Sequence, residues 1–289
     1  MNQSDRITRK SSSNLALAFI LLPKDKGRAM TALYAFCRCV DDIADEDQSP
    51  VEARRNELSQ WREDIGRACA GKEPEIQVNR ELTPYISKYQ LPLELFEDLI
   101  RGVEMDLDIN RIETREQLDL YCYRVASVVG LLSIRIFGDK DGQCVDYAVN
   151  LGKALQITNI LRDVRTDAQN NRIYIPQDML DQFGVTTDEI LSFKYSDRFR
   201  KLAENLAEQA NVFYCNAVEQ LPSIRRKSLI ASELMGAVYW NLLKQIKSHR
   251  FNVFGPHPVR LSSRQKFRLI LRTWFRLKFG SKTPNYGDS

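Results

Sequence analysis

Apolar residues recur at intervals of three and four along almost the whole chain, the repeat that lines one face of an α-helix, while alternating apolar and polar runs that would build half-buried strands are almost absent. The pattern predicts a mostly helical protein. A short helix over Leu15–Leu22 stops at Pro23, and a long one runs from Gly27 to about Asp47, ended by Asp-Gln-Ser-Pro. Helices follow over Val51–Ala70, Arg80–Tyr89, Leu93–Asp108 and Arg115–Phe137, the last closed by a turn from Gly138 to Gly142. The next, from about Cys144 to Asp167, leads into a polar loop over Ala168–Ile175. Two short helical turns fall in Pro176–Leu191, and long helices over Asp197–Gln220 and Ser223–Lys247 are separated by Pro222. No repeat, low-complexity tract or linker divides the sequence, which predicts one all-α domain over residues 1–289.

Composition narrows the chemistry. The chain has 289 residues, 43% of them hydrophobic and 28% charged, enough to bury a sizeable core. A formal net charge of +4 gives no reason to expect nucleic acid as a partner. The six cysteines are scattered without CxxC pairs, and the chain opens on polar Met-Asn-Gln-Ser-Asp-Arg without a secretory leader, so reduced thiols and a cytoplasmic location are expected. The apolar run Leu15–Leu22 is far shorter than the roughly 20 residues of a membrane span. With only His249 and His257 present, a histidine triad or a zinc site is excluded in favour of oxygen-ligand chemistry.

One region departs from the average. Between Val259 and Lys282 stand eight Lys or Arg and no acid, interleaved with Phe267, Leu269, Ile270, Leu271, Trp274, Phe275, Leu277 and Phe279. Such a basic amphipathic segment suits the anionic inner face of a membrane, and equally a packed helix with a solvated basic face.

Two acidic clusters carry the candidate chemistry. Asn159, Asp163 and Asp167 are spaced four apart within Gln-Ile-Thr-Asn-Ile-Leu-Arg-Asp-Val-Arg-Thr-Asp, which puts their oxygens on one helix face; Asp41 and Asp45 repeat the spacing near the amino terminus. Like charges at this spacing cost roughly 0.2–0.5 kcal/mol per pair, so something cationic should offset them. Mg²⁺ fits, since it takes oxygen ligands and is usually held by one or two carboxylates together with substrate phosphates. Nearby arginines, Arg38 for the first cluster and Arg162 and Arg165 for the second, are the plainer alternative. Ala126 and Gly130, four apart after Tyr121-Cys122-Tyr123, permit close approach of another helix or of a ligand chain, and Tyr34, Tyr174 and Tyr239 fit core positions with bonded hydroxyls.

Read together, Ala-Leu-Tyr-Ala-Phe-Cys-Arg (32–38) with Asp-Asp-Ile-Ala-Asp (41–45), Tyr121-Cys122-Tyr123 to Gly130, Gln-Ile-Thr-Asn-Ile-Leu-Arg-Asp-Val (156–164) and Arg-Ile-Tyr-Ile-Pro (172–176) resemble the squalene and phytoene synthase family of trans-isoprenoid synthases. The resemblance implies an isoprenoid synthase fold with a central apolar cavity, and a Mg²⁺-dependent prenyltransferase. By position it implies metal binding at Asp41, Asp45, Asn159, Asp163 and Asp167, and diphosphate contacts at Arg38 and Arg162. Tyr34, Tyr121, Gln156, Tyr174 and Tyr239 would line the reaction centre, Val125, Ala126 and Gly130 the prenyl tail, with Asp106 a further acidic position and Arg260 a match for a late arginine. The wording is most similar to the bacterial hopanoid branch, implying head-to-head (1'-2-3) condensation of two farnesyl diphosphates to presqualene diphosphate, passed on to downstream isoprenoid enzymes. Alternatives within the resemblance are a phytoene synthase acting on geranylgeranyl diphosphate, a complete squalene synthase using NADPH, and a non-catalytic assembly factor. Asn14-Leu15-Ala16 replaces aromatics that family members often carry after the first Ser.

Overall fold

The computed structural model describes residues 2–10, 18–19, 21–46, 49–281 and 283–287. The expected end of the second helix at Asp47, half of the expected Leu15–Leu22 helix, the Asn14-Leu15-Ala16 departure and Lys282 lie outside the described residues. Thirteen α-helices are present among the described residues: α1 Gln3–Lys10, α2 Lys24–Ala44, α3 Val51–Cys69, α4 Gln77–Tyr89, α5 Leu93–Asp108, α6 Arg115–Cys122, α7 Val128–Phe137, α8 Val145–Gln169, α9 Gln177–Phe183, α10 Thr187–Leu191, α11 Asp197–Glu219, α12 Ile230–Ser248 and α13 Ser263–Lys278. No strand forms among the described residues, where the one β element is an isolated bridge from Arg111 to Ile173. The all-α expectation holds.

α8 is the axle. At 25 residues it runs about 36 Å, and α7, α11, α12 and the turn between α6 and α7 pack around it. α2 is the second long core element: Leu33, Phe36 and Val40 are fully buried, and Phe36 meets Trp61 of α3 and Phe96 of α5 edge-on at 5.7 and 5.2 Å. All six cysteines are free thiols. Arg115–Phe137 is apolar and long enough by composition to cross a membrane, yet half of it is buried within the protein.

The structure corrects the sequence reading at four places. α1 begins at Gln3, where no helix was expected, because Glu81 of α4 accepts hydrogen bonds from the Gln3 and Ser4 amides at 3.0 and 2.9 Å, capping helical N–H groups that otherwise lack partners. The expected single helix over Arg115–Phe137 is interrupted by a π turn at Tyr123–Ser127. α8 continues to Gln169, two residues into the expected loop. The expected Ser223–Lys247 helix begins as a short 3₁₀ turn at Ser223–Arg225 and becomes α-helical only at Ile230.

Two glycines explain the π turn. A Cβ on Gly102 of α5 would meet Arg124 Cβ at 2.7 Å, and one on Gly152 of α8 would meet Ser127 Cα at 2.5 Å. The wide turn therefore lies pinched between two helices at distances only glycine allows, and Ser127 Oγ donates to the Val149 carbonyl at 2.8 Å.

Candidate active site

The two acidic helices face each other. Arg172, three residues past the end of α8, donates from Nη1 to Asp45 at 2.7 Å and from Nη2, at 3.0 Å, to the Ala44 carbonyl, which also accepts from Arg54 at 2.9 Å. It ties the carboxyl end of α2 to that of α8 and so brings the Asp41, Asp45 pair opposite the Asn159, Asp163, Asp167 face.

Asp106 of α5 stands between the two. Tyr174 donates to its carboxylate at 2.7 Å and Tyr121 at 3.2 Å, and the two tyrosine rings stack at 5.0 Å. The acids raise one another. Burial, then Asp45, pushes Asp41 from 3.8 to about 7 against the pull of Arg38, with Asp106 adding to the rise. Burial, then Asp163, pushes Asp167 to about 8, with Arg172 opposing and Asp106 again contributing. Asp106 itself is lifted to about 6, chiefly by burial. About half of the Asp41 side chain is open, which is consistent with a carboxylate at the floor of a recess: solvent reaches one side, protein closes the others and weakens the solvation of its charge.

Arginines offset part of this charge. Arg38 pairs with Asp41 at 3.1 Å and with Asp42, and Arg162 grips the next residue, Asp163, through Nε at 2.8 Å and through Nη2. Arg165, a sequence candidate for the same task, points away, over the Phe193 ring at 4.4 Å. Asp167 has no hydrogen-bonded or ion-paired side chain among the described residues, and the buried Asn159 Oδ1 accepts no hydrogen bond there. Its amide nitrogen reaches only Gln156, at 3.5 Å.

Among the described residues no three Asp, Glu, His or Cys converge as a self-sufficient metal cage. The donor set still suits a hard divalent cation: it consists of oxygens, one of them buried without a partner, on carboxylates whose charge is poorly offset. Mg²⁺ in particular completes its shell with water and phosphate oxygens.

Below this acidic mouth lies an apolar cavity of about 570 Å³, its opening included, walled by α2, the π turn, α7, α8 and α12 and by Ala18 and Phe19. Ala126 and Gly130 line it, and a Cβ on Gly130 would sit 3.0 Å from the Ala148 carbonyl, so the same glycine serves close packing as well. Val125 turns a methyl toward Gly102 instead. Leu155 on the cavity wall is one helical turn from Asn159, so the space opens directly beneath the acids. Tyr34 is half-buried and edge-on to Phe19 at 6.3 Å, and Tyr239 of α12 lies against the Arg162 guanidinium. Lys266 is lowered by burial and then by Arg260 and Arg162, which puts both arginines within electrostatic reach of it.

Sequence reasoning missed two parts of the site. Arg172 was visible only as part of a motif, with nothing to show that it reaches 127 residues back to Asp45. Most of the cavity wall, Met30, Val129, Phe137, Tyr147, Leu151 and Met235 among it, has the same apolar signature as the core and carries no separate signal.

Known proteins give a consistent comparison. The model of the squalene/phytoene synthase family matches residues 8–265. The chain is 36% identical to a presqualene diphosphate synthase of Rhodopseudomonas palustris over 90% of this chain and 92% of that protein. It is 34% identical to a phytoene synthase of Arthrospira platensis over 86% and 84% of the two. Among solved structures, a dehydrosqualene synthase in complex with ligand superposes with a TM-score of 0.86 at 32% identity, covering 96% of this chain and 95% of that one. A squalene synthase from Alicyclobacillus acidocaldarius gives 0.75 at 28% identity, covering 86% and 93%.

Proposed function

The chain belongs to the squalene/phytoene synthase family, and we propose that it joins two molecules of farnesyl diphosphate head to head (1'-2-3) to presqualene diphosphate with release of diphosphate. The observation that carries this reading is the facing of two acidic helices, tied by Arg172, over the mouth of an apolar cavity. Similarity to presqualene diphosphate synthases along most of the chain supports it.

In this reading Asp41, Asp45, Asn159, Asp163 and Asp167 hold Mg²⁺ and Arg38 and Arg162 hold diphosphate. When bound, the metal neutralises the leaving diphosphate so that the allylic C–O bond can break. The chain's own groups do the rest. Tyr121 and Tyr174, fixed by Asp106, together with Tyr34 and Tyr239, present ring faces and hydroxyls to the allylic cation, a contact worth about 1–2 kcal/mol per ring when water is excluded. Gln156 orients Asn159. The cavity takes the prenyl tail, whose burial is worth roughly 0.8 kcal/mol per methylene, and keeps water from the cation until the second double bond reaches it.

The test is product identification by mass after incubation with Mg²⁺ and either farnesyl or geranylgeranyl diphosphate, with and without NADPH. Presqualene diphosphate from farnesyl diphosphate in both arms is expected. Phytoene from the longer substrate, or squalene only with NADPH, would move the chain to another branch, and no pyrophosphate release from any substrate would refute the reading.

The carboxyl-terminal helix has a place in the same function. α13 buries Leu269, Thr273 and Leu277 and leaves Phe267, Leu271 and Phe275 exposed one turn apart, with Phe279 following at 76% exposure. Arg264, Arg268 and Arg272 flank that stripe. Aromatic anchors among cations fit an anionic lipid surface, so the enzyme works on the cytoplasmic face of a membrane, where downstream isoprenoid enzymes consume its lipid-like product. Sedimentation with vesicles containing anionic lipid, and none with purely zwitterionic ones, is expected; F267S/F275S should abolish it. Equal binding of that variant would refute the assignment.

A further inference from the structure

The chain does not stop at α13. Residues 283–287 turn back over α11, α12 and α13 and are tied down at each step. Arg276 donates to the Thr283 and Pro284 carbonyls at 2.7 and 3.3 Å, Asn285 to Thr273 Oγ1 at 3.4 Å, and the Cys215 thiol to the Gly287 carbonyl at 3.4 Å. Just ahead of the segment, Arg226, itself locked in a buried ion pair with Glu233, holds the Ser281 carbonyl. A solvent-exposed tail needs none of these bonds.

The bonds deliver one side chain. Tyr286 is fully buried, with its hydroxyl 3.1 Å from that of Tyr147 and its ring edge-on to Tyr214 at 6.2 Å. α12 makes room for it with a glycine: a Cβ on Gly236 would meet the tyrosine ring at 2.7 Å. Tyr147 in turn lines the apolar cavity, at the end of α8 remote from the acids. Twelve residues separate it from Asn159, about 18 Å along the helix. Phe137, at the carboxyl end of α7, closes the same end. The cavity floor is therefore backed by a residue that arrives from the far carboxyl-terminal segment.

We propose that this segment is the end stop of the cavity, and that Tyr286, by holding Tyr147 across its floor, sets the length of prenyl chain that fits. Tyr286 is a positioning residue, acting through Tyr147. The proposal rests on the cavity being the prenyl site, as argued above. Selecting one isoprene unit against the next requires a floor that does not yield, and a hydroxyl pair buried between two helices and a strapped segment supplies it. A lone Tyr147 side chain could swing aside.

The experiment measures kcat/KM for farnesyl and geranylgeranyl diphosphate in the full-length protein, its Y286A and Y286F variants, and Y147A. Y286A should raise the ratio of the longer to the shorter substrate by about tenfold or more, the scale at which hydrophobic pockets discriminate by size. Y286F, which keeps the ring and loses only the hydroxyl bond to Tyr147, should shift it the same way by a smaller factor of about threefold. Y147A should shift the ratio in the same direction, and the double variant should fall short of the product of the two shifts, since the residues act as one unit. A purely structural role would lower both substrates together, and an unchanged ratio in Y286A and Y147A would overturn the proposal. Should Y286A not fold, Y286L retains most of the buried volume and reads the same ratio. A parent protein that turns over neither substrate would fail the functional reading and this one with it, whereas an active parent with an unchanged ratio fails this one alone.

Discussion

The two ends of the cleft are built on opposite terms. At the mouth, polar groups outnumber their partners: Asn159 Oδ1 is buried and unbonded among the described residues, and Asp41 and Asp167 hold their protons to about 7 and 8 because little solvates their charge. At the floor the tyrosine hydroxyl is paired. The Tyr147 hydroxyl meets that of Tyr286 at 3.1 Å. The difference matches the roles proposed for the two ends. Groups left unsatisfied suit the proposed binding of charged ligands, whereas a paired hydroxyl suits the rigidity that the proposed end stop needs.

The contrast breaks most visibly if a mouth carboxylate is neutralised. D163N or D41N should lower turnover by roughly 10²–10³-fold, the scale of removing one electrostatic stabiliser of a transition state, with little loss of thermal stability; pyrophosphate release and a melting curve read both. The joint between the ends comes next. G152A would bring a Cβ to 2.5 Å from Ser127 Cα, and should cost about 1–3 kcal/mol in urea unfolding.

The mouth also predicts a pH dependence. Asp106, Asp41 and Asp167 are raised from 3.8 to about 6, 7 and 8, so between those limits the folded protein holds protons the unfolded chain has released. Metal-free stability should accordingly be greatest at low pH within this window and fall as pH rises towards about 8. D167N should flatten the upper part of that fall, and Mg²⁺ with diphosphate should recover more stability at pH about 8 than at about 5. Melting curves across the range decide it; a slope equal in parent and D167N would contradict the mouth's electrostatics. Smallest is Y214F, behind the cavity wall, expected to cost about 1 kcal/mol for the lost bond to Thr158 with turnover kept.

Much of this was legible beforehand. The helical repeat gave most of the long elements to within a few residues, the late start at Ile230 excepted, and the spacing of Asp41 and Asp45, and of Asn159, Asp163 and Asp167, marked both acidic faces. What could not be read were the parts fixed by distant residues: α1, capped by Glu81 across 77 positions; Arg172, bonded across 127 to Asp45; and Tyr286, set against Tyr147 across 139. Local pattern carries no trace of such pairs. The π turn escaped for another reason, since Tyr123–Ser127 has an ordinary helical composition and only the two glycines opposite it record the extra width.

That turn sets a phase. Each residue of an α-helix advances the side chains by about 100°, and a π turn inserts a residue without lengthening the path in proportion. It is the offset that lets Tyr121 before it address Asp106 while Ala126 and Gly130 within and after it address the cavity. Making the turn α-helical at unchanged length would rotate one set away from its target by about 100°, whereas deleting one residue from Tyr123–Ser127 would give a regular helix with both sets still in phase. A single deletion in this stretch is thus a milder change than filling Gly102 or Gly152, which squeezes the wide turn at its full length, and comparing the two is the probe that would expose the offset.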